Sequence, residues 1–519
     1  MLDTVFTACY AAFHCYMRSG SQGIVSKRVR EEDSEVQAIM QAGAQEVPWV
    51  SEEFGAVVLG DKRLDRRLIK TAEKLTKSPS SPINEACGSW ACAKAAYRLF
   101  DNRKASAAAI LKPHIEATRR RMASQSHAVL IVQDTVFFHY AHPKAKGLGP
   151  IGKSNESGDR GLIMHNALAF STSGVPLGIL SQRIWARDEV PEETREEKIE
   201  RLQCTAIEEK ESFKWIEALR ETAERTPKGV KVVTMADRES DFYEFIAEAK
   251  AQRGSFLIRA RIDRQLVPEE SAGHDNLVEA LRGSPMLGEL TIDIPGNGKR
   301  KARSAPVTVR AATVTLKAPQ KRGQARDSAA LDPITVNVVG ATEEHPPEGV
   351  EVISWVLLTD LPVSDFEAAA EKVKWYGKRW GIETWHKVLK SGCQVEDCML
   401  ETAERLGRYL TLFSIIGVRL MHVTYLARVQ PDLAAKEVFS GEEIEALNVR
   451  LKQALPAPSD ATLTLKEMVR GIGSLGGHLG RKRDKEPGIV VLWRGWMRLY
   501  ESVEALRAGK QAFGWGDSS

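Results

Sequence analysis

Residues 364–392 constrain the possible fold of this chain more than any other stretch. They combine the start and stop signals of a long helix with chemically active side chains. Ser364 and Glu367 form the S-x-x-E pattern of a capping box at its start. Gly392 stands where a C-terminal cap would end it. The stretch therefore predicts one continuous helix about 40 Å long, at 1.5 Å per residue.

Four polar side chains are expected to share one face of this helix. Tyr376, Arg379, Glu383 and Lys390 follow one another at spacings of three, four and seven residues, which stack them turn upon turn. A phenol, a guanidinium, a carboxylate and an ammonium do not build a core, so the face points to chemistry. On the stripe alone, the alternative is a solvated face with one weak Arg–Glu pair.

Length, charge and cysteines bound the class of protein. A chain of 519 residues has room for two to four domains, and its net charge of +4 makes local basic patches more informative than the total. Seven dispersed cysteines do not form a disulfide framework, and neither a signal peptide nor a membrane span is predicted. We expect a cytoplasmic protein, with residues 1–45 as a poorly ordered extension.

The first predicted domain, residues 46–121, is helical and basic. Leucines recur at a helical period between residues 59 and 75, and cations occupy the remaining faces. Such a unit suits contact with the DNA backbone, although a solvated helical bundle is the alternative on these residues alone. The candidate DNA contacts are Lys62, Arg63, Arg66 and Arg67.

The next region, residues 122–400, alternates strands and helices. Apolar runs at 127–134 and 230–237 each read as a buried strand closed by an acid, Asp134 and Asp237. Between them we expect a strand hairpin over 161–186 and a charged helix over about 190–226. This order predicts a mixed α/β sheet with its site at the strands' carboxyl ends.

A β-rich insertion over about 254–360 precedes the long helix, and a helical domain over 401–519 follows it. Within the insertion, residues 299–326 carry nine lysines and arginines and no acid. This segment is predicted to contact phosphates, with a solvated hairpin as the alternative. The candidate DNA contacts here are Lys299, Arg300, Lys301 and Arg303.

Asp134, Asp237 and Glu383 are the candidate metal ligands. Singly, each has a structural explanation as a turn cap or a surface acid. Brought together, three carboxylates would repel one another unless a cation neutralised them. Oxygen ligands select hard ions such as Mg²⁺ or Mn²⁺, and two such ions can catalyse phosphoryl transfer.

These motifs resemble those of the DDE transposases of the IS-four, Tn-five-like family. The most specific match is Y-(2)-R-(3)-E-(6)-K, here Tyr376, Arg379, Glu383 and Lys390, and the surroundings of Asp134 and Asp237 resemble the family's two acidic motifs. The similarity runs from about residue 49 to the C-terminus. It implies a ribonuclease-H-like catalytic core with a β-rich insertion before the last catalytic helix, flanked by N- and C-terminal helical domains.

The resemblance also implies an activity. It predicts cut-and-paste transposition through nicking, hairpin formation, hairpin opening and strand transfer, with two Mg²⁺ or Mn²⁺ ions per active site. It further implies double-stranded DNA as partner, both transposon ends and target, and a homodimer made by residues 401–519. Trp355 stands where the family places a base-stacking tryptophan, and Arg259 matches a position near its active site.

Two other functions stay open at this point. One is a metal-dependent nuclease of the same core, and the other is a domesticated or inhibitory DNA-binding protein without catalysis. Gly377 and Gly381 depart from a good helix former, each costing about 1 kcal/mol relative to alanine. Their presence predicts either that DNA or neighbouring backbone approaches the helix closely, or that the helix is loosened there.

Overall fold

The computed structural model describes residues 49–151, 159–189, 193–252, 254–294, 302–319, 332–451, 463–481 and 484–513. The predicted extension over residues 1–45 lies outside them. So do six of the nine lysines and arginines of the basic segment over 299–326.

The N-terminal part is helical, as predicted. Its helices are α1 (Trp49–Phe54), α2 (Lys62–Lys77), α3 (Ile83–Cys87), α4 (Trp90–Asp101) and α5 (Ala107–Ala123). In α2 the buried Leu64, Leu68 and Leu75 recur along one side, which confirms the helical period. Residues 83–102, whose sequence predicts one helix, form two, because Gly88 adopts a left-handed conformation that ends α3, and Ser89 then caps α4.

A single mixed sheet forms the centre of the described chain. Its strands are β1 (Val129–His139), β2 (Gly149–Pro150), β3 (Arg160–Ser171), β4 (Pro176–Trp185), β5 (Val232–Ala236), β6 (Ser255–Arg259), β7 (Met286–Ile294), β8 (Arg303–Leu316), β9 (Ile334–Thr342) and β10 (Ser354–Thr359). Their order is β2-β3-β1-β5-β6-β10-β9-β8-β7, with β4 paired to β3. Strands β1, β5 and β6 run parallel, and the other pairs are antiparallel.

The first half of the sheet follows the predicted order with two differences. Strand β1 continues five residues past Asp134, because β3 still pairs with it after its pairing with β5 has ended at Val132. The long helix expected over 190–226 is two helices, α6 (Arg195–Cys204) and α7 (Phe213–Arg225). The β3–β4 hairpin turns at Gly174, whose φ of 94° favours glycine.

The β-rich insertion extends this sheet instead of forming a separate layer. Strands β6 and β10 pair in its interior, and β9, β8 and β7 continue it outward to an edge. The insertion also contains helix α9 (Leu277–Gly283), which the sequence reading missed. Helix α8 (Tyr243–Ala251) connects β5 to β6, as a parallel pair requires.

Both faces of the sheet are buried at its centre. Along β6, Phe256 and Ile258 pack with Trp215 of α7 in one apolar cluster, whereas the intervening Leu257 belongs to a larger cluster that includes Trp385. Successive strand residues point to opposite faces, so the clusters lie on the two sides of the sheet. Helices on both sides of a mixed sheet, between helical ends, are compatible with a ribonuclease-H-like core.

The predicted continuous helix over 364–392 is wrong in detail. It consists of α10 (Phe366–Lys378), α11 (Trp380–Lys387) and a π-helical turn (Val388–Gly392). The helix tightens where α10 meets α11, because the amides of Arg379 and Ile382 each bond three residues back. Asp365 caps α10 by accepting from the amide of Ala368, so the predicted Ser364–Glu367 capping box does not form.

The C-terminal part is helical, as predicted. Its helices are α12 (Ala403–Val429), α13 (Gly441–Arg450), α14 (Leu465–Leu475) and α15 (Ile489–Phe513). Helix α12 is long and apolar enough to cross a membrane by length and composition. However, 78% of its apolar window is buried inside the protein, as in the core helix of a folded domain.

A buried ion pair joins the N-terminal helices to the sheet. Glu53 of α1 accepts from His114 Nδ1 at 2.5 Å and from Arg121 Nη1 at 2.8 Å, and both partners lie on α5. His114 Nε2 accepts from the amide of Ile179 on β4 at 2.9 Å, so its ring proton is on Nδ1. Burial alone would raise the pKa of Glu53, but His114 and Arg121 outweigh it and lower that pKa to about 2.

We expect Glu53→Gln to lower the free energy of unfolding at pH 7 by about 3 kcal/mol, because it removes the buried counter-charge of Arg121 and the charged acceptor of His114. A carboxyl pKa that folding depresses contributes stability above about pH 4.5, and this contribution is lost as pH falls toward 2. The stability difference between parent and variant should therefore shrink over that interval, measured by urea unfolding. Glu52→Gln is the control, because exposed Glu52 also contacts Arg121 and should cost less than about 1 kcal/mol. Equal pH slopes in both variants would contradict the prediction.

Candidate active site

Strand register aligns the first two candidate acids. Parallel pairing runs from Val129 with Val232 to Val132 with Met235. Asp134 and Asp237 each follow the last of these pairs by two residues, so they reach the same level on neighbouring strands. Neighbouring strands lie about 4.8 Å apart. Asp237 also caps the turn after β5, accepting from the amide of Glu239 at 2.8 Å.

Glu383 reaches this acid pair through Arg379. The Arg379 guanidinium forms an ion pair with Glu383, four residues on, and its Nη1 lies 3.8 Å from Asp134 Oδ2. Burial alone would lower the pKa of Arg379, but Tyr376, Asp134 and Glu383 together raise it. One guanidinium thus partly balances two of the three carboxylates.

Asp134 carries charge that its surroundings do not balance. Burial raises its pKa to about 7, and the charges of Asp237 and Glu383 add to the increase. Arg379 and the amide of Thr135, which donates to Asp134 at 2.9 Å, offset only part of it. A divalent cation beside Asp134 would supply the missing charge, so the carboxylate oxygens present fit Mg²⁺ or Mn²⁺.

The three acids are near one another but do not form a completed ligand cage. In the part of the chain that the structure describes, no group of three or more acid, histidine or cysteine side chains is placed to hold a metal ion. Asp134 and Asp237 are aligned by the sheet, whereas Glu383 projects from α11 and is held by Arg379. That all three share ions stays a prediction.

Aromatic and cationic side chains adjoin the acids on one side. The ring centroids of Trp355 on β10 and Tyr376 on α10 lie 5.2 Å apart, edge to face. Arg379 lies over the Tyr376 ring at 5.9 Å, and burial raises the pKa of the Tyr376 phenol. Arg259, at the end of β6, donates to the carbonyl of Ser354, next to Trp355, at 2.9 Å. The structure therefore brings Trp355, Tyr376, Arg379 and Arg259 together.

Lys390 lies in the π-helical turn that follows α11, and its described contacts are with Glu396 and Phe138. Its ammonium is 3.1 Å from Glu396 and 5.6 Å from the centroid of the Phe138 ring. Phe138 follows Asp134 by four residues, or about 13 Å of strand. The π-helical turn changes the angle at which Lys390 leaves the helix, so the predicted stripe is not straight.

The sequence reading missed His386. Its Nδ1 lies 3.9 Å from Asp134 Oδ2, and among the described residues its buried Nε2 has no hydrogen-bond partner. Burial and the nearby cations Lys390 and Arg379 lower its pKa to about 3, so the ring is neutral. Its position three residues after Glu383 was the available signal, since i and i+3 share a helix face.

The candidate DNA contacts at the N-terminus lie on the surface. Lys62, Arg63 and Arg66 are exposed on α2, and Arg67 is partly exposed. Helix α4 adds a surface that the sequence reading missed. There, Trp90 is 77% exposed and Tyr97, seven residues later on the same side, is 41% exposed. Exposed aromatics beside cations suit nucleic-acid contact.

The basic segment of the insertion is only partly described. Lys299, Arg300 and Lys301 lie outside the described residues. Arg303 begins β8, where its Nη2 lies 2.7 Å from the buried Glu343 carboxylate and also donates to the carbonyl of Glu351. These contacts fix the end of the sheet.

Two family models match segments near the two ends of the chain. Residues 46–105 match a family model described as transposase DNA-binding. Residues 415–513 match one described as the transposase Tn5 dimerisation domain. The two matched segments lie on either side of the large mixed sheet, an arrangement that supports a DNA transposase. The pair of matches supports a Tn5/IS4-like transposase, which the sequence motifs predicted.

Proposed function

We propose that the protein is a cut-and-paste transposase with an active site formed by Asp134, Asp237 and Glu383. The observation that carries this proposal is the shared level of Asp134 and Asp237 on parallel strands, with Glu383 linked to them through Arg379. These carboxylates would hold two Mg²⁺ or Mn²⁺ ions. Such ions activate a water or a 3′-hydroxyl and stabilise the leaving oxygen at phosphorus.

The surrounding side chains would bind and orient DNA. The Arg379 fork, already between Asp134 and Glu383, can bind two oxygens of the scissile phosphate. Tyr376 beside it can donate to a phosphate oxygen. Lys390, displaced toward Phe138, would contact the backbone farther along the strand. His386, beside Asp134 and buried, is placed to keep that carboxylate oriented.

Hairpin formation requires a base to leave the duplex stack, and Trp355 is the proposed stacking surface. Its ring is partly exposed and rests edge-on against Tyr376, close to the acid pair. The wall of Trp355, Tyr376 and Arg259 would therefore receive the extruded base.

We expect Trp355→Ala to reduce hairpin formation about tenfold while nicking continues, since base–aromatic stacking contributes about 1–3 kcal/mol. Trp355→Phe should recover most of the hairpin yield, because it keeps a stacking face. Both steps can be followed on denaturing gels with one labelled transposon end. If nicking by the Trp355→Ala protein falls as much as hairpin formation, the role of Trp355 is to stabilise the sheet and not to stack on the extruded base.

DNA and a second copy of the chain are the proposed partners. The cations of α2 would contact transposon ends, and the C-terminal helices would form the homodimer. Binding to chromosomal DNA places the protein in the nucleoid.

The experiment that tests this proposal combines protein, Mg²⁺ and DNA carrying the inverted repeats that flank the gene. Hairpinned ends and joined products support transposition, whereas nicks alone indicate a nuclease. DNA binding without any product, unchanged by Glu383→Ala, indicates an inert DNA-binding protein.

A further inference from the structure

A groove of about 1330 Å³ lies on the catalytic domain beside helix α10. Its other walls come from the segments before β1 and β5, the β3–β4 turn and the end of β7. Trp355 also lines it, so the groove begins next to the proposed base-stacking wall.

One full side of α10 faces this groove. The residues of α10 that line it recur mostly every three or four positions, which places them on one helix face. They include Glu367, Ala370, Glu371, Lys374, Gly377 and Lys378.

Four exposed lysines converge at one end of the groove: Lys228, Lys231, Lys374 and Lys378. None of them is within ion-pair distance of a carboxylate in the described parts of the chain. The segments before β1 and β5 adjoin, because the amide of Val129 donates to the carbonyl of Lys231 at 2.8 Å.

The end of the groove that carries these lysines lies at the amino ends of the central strands. Lys378 packs against Gly174 in the β3–β4 turn, at the same end of the sheet as Lys231. From Val129 to Asp134 is about 17 Å along β1. The acids Asp293, Glu367 and Glu371 also line the groove, and Glu371 pairs with Lys372 at 2.8 Å.

Gly377 leaves this side of α10 without a side chain, and no packing contact within the described chain requires a glycine there. A Cβ built at Gly377 would have no heavy atom within 4 Å, although glycine destabilises a helix relative to alanine. Gly381 differs, because a Cβ there would lie 2.8 Å from the Phe170 ring. Packing within the protein accounts for Gly381, whereas the open face at Gly377 leaves room for a ligand.

The end of helix α4, within the predicted DNA-binding domain, packs at the opposite end of the sheet. Asp101 of α4 pairs with Arg405 at 2.9 Å, near the start of α12. Thr402, which caps α12, is bridged to Lys146, beyond the carboxyl end of β1. A transposon end held by α4 would thus approach the acids from the side opposite the groove.

We infer that the groove binds the phosphate backbone of target duplex DNA, an inference that rests on the proposed transposase function. Four unpaired lysines supply the charge complementarity. No arginine is among its described lining residues, and arginine is the commonest reader of base edges. A surface that contacts only phosphates binds DNA of any sequence, and a target-binding surface must accept many sequences.

The first test uses the full chain with Lys228→Ala and Lys231→Ala together, since these residues lie outside α10. We expect end nicking within twofold of the parent, and joining of pre-cleaved ends to a plasmid lowered about tenfold at physiological salt. The control protein carries Lys198→Ala and Lys210→Ala, which remove the same charge outside the groove. Joining equal to the control, or nicking and joining that fall together, would overturn the inference.

A second test does not depend on catalysis. Binding of a duplex without terminal repeats is measured by fluorescence polarisation over a range of salt concentrations. Losing two phosphate contacts should lower the slope of log K against log salt by about two, relative to the control variant. If that slope falls but the parent protein neither cuts nor joins DNA, the groove binds DNA and the transposase proposal fails. An unchanged slope would overturn the inference that the groove binds DNA, whether or not the protein cuts and joins DNA.

Gly377→Ala tests the close approach. Its thermal unfolding temperature should equal or exceed that of the parent, because nothing in the chain obstructs the added methyl group. Joining to the target should nevertheless fall severalfold. Undiminished joining would show that DNA does not lie against this side of α10.

Discussion

An Asp134→Asn protein is expected to lose strand cleavage by about a thousandfold while it still folds and binds transposon ends. Asparagine keeps the shape of the side chain but removes the charge that would hold a divalent ion beside Asp237. Removing one group that stabilises charge in a preorganised site costs about 10²–10³-fold in rate. Because burial, Asp237 and Glu383 all disfavour charge at Asp134, a neutral residue should not destabilise the metal-free protein.

The measurement pairs a nicking assay in Mg²⁺ with a gel-shift assay of end binding and thermal unfolding. Asp241→Asn is the control, because Asp241 is a buried acid four residues after Asp237 that pairs with Arg264 at 2.7 Å. That variant should lose stability but keep its cleavage rate per folded molecule. Cleavage by Asp134→Asn at the parent rate would mean that the carboxylate is structural and that the proposed site is wrong.

The placement of the two aspartates could be predicted because it depends on local pattern. An apolar run closed by an acid predicts a buried strand with the acid at its end, and parallel strands present their carboxyl ends at one edge. The structure gives Asp134 and Asp237 the same level through the register of β1 and β5. The sequence could not show that β1 continues past Asp134, since that depends on its pairing with the distant β3.

The rest of the candidate site depends on packing that a helical repeat does not encode. A regular repeat placed Lys390 in line with Glu383, but the π-helical turn at Val388–Gly392 moves it toward Glu396. His386 was overlooked because its importance comes from Asp134, on another element. The groove beside α10 was not predictable either, because its lining residues come from six separate parts of the chain.

The strand pairing of the β-rich insertion also could not be predicted from the sequence. The sequence predicted that the insertion is rich in strands, but such a pattern does not determine which strands pair. The structure inserts β10 between β6 and β9, so the insertion is continuous with the sheet that carries Asp134 and Asp237. This continuity positions Trp355 against Tyr376, and it makes the insertion part of the candidate site.

Gly495→Ala is expected to destabilise the C-terminal domain by about 3 kcal/mol and to prevent dimer formation. A Cβ at Gly495 on α15 would lie 1.8 Å from the carbonyl oxygen of Ile472 on α14. A Cβ at Gly476 would similarly lie 1.9 Å from the carbonyl oxygen of Val491. The two helices cross with backbone against backbone, so no flexible side chain can move to make room. Overpacking costs about 1–3 kcal/mol where side chains can adjust, and a backbone obstacle places this variant at the upper end.

Gly509→Ala is the matched control in the same helix, because a Cβ there meets nothing within 4 Å. Alanine is the better helix former by about 1 kcal/mol, so this variant should be as stable as the parent or slightly more stable. Urea unfolding measures the stability, and sedimentation measures the oligomeric state. Since α15 also carries the buried Trp493 and Trp496, displacing it should expose both indoles and shift their fluorescence to longer wavelength. If Gly495→Ala and Gly509→Ala behave alike in all three measurements, the close crossing of α14 and α15 does not hold this domain together.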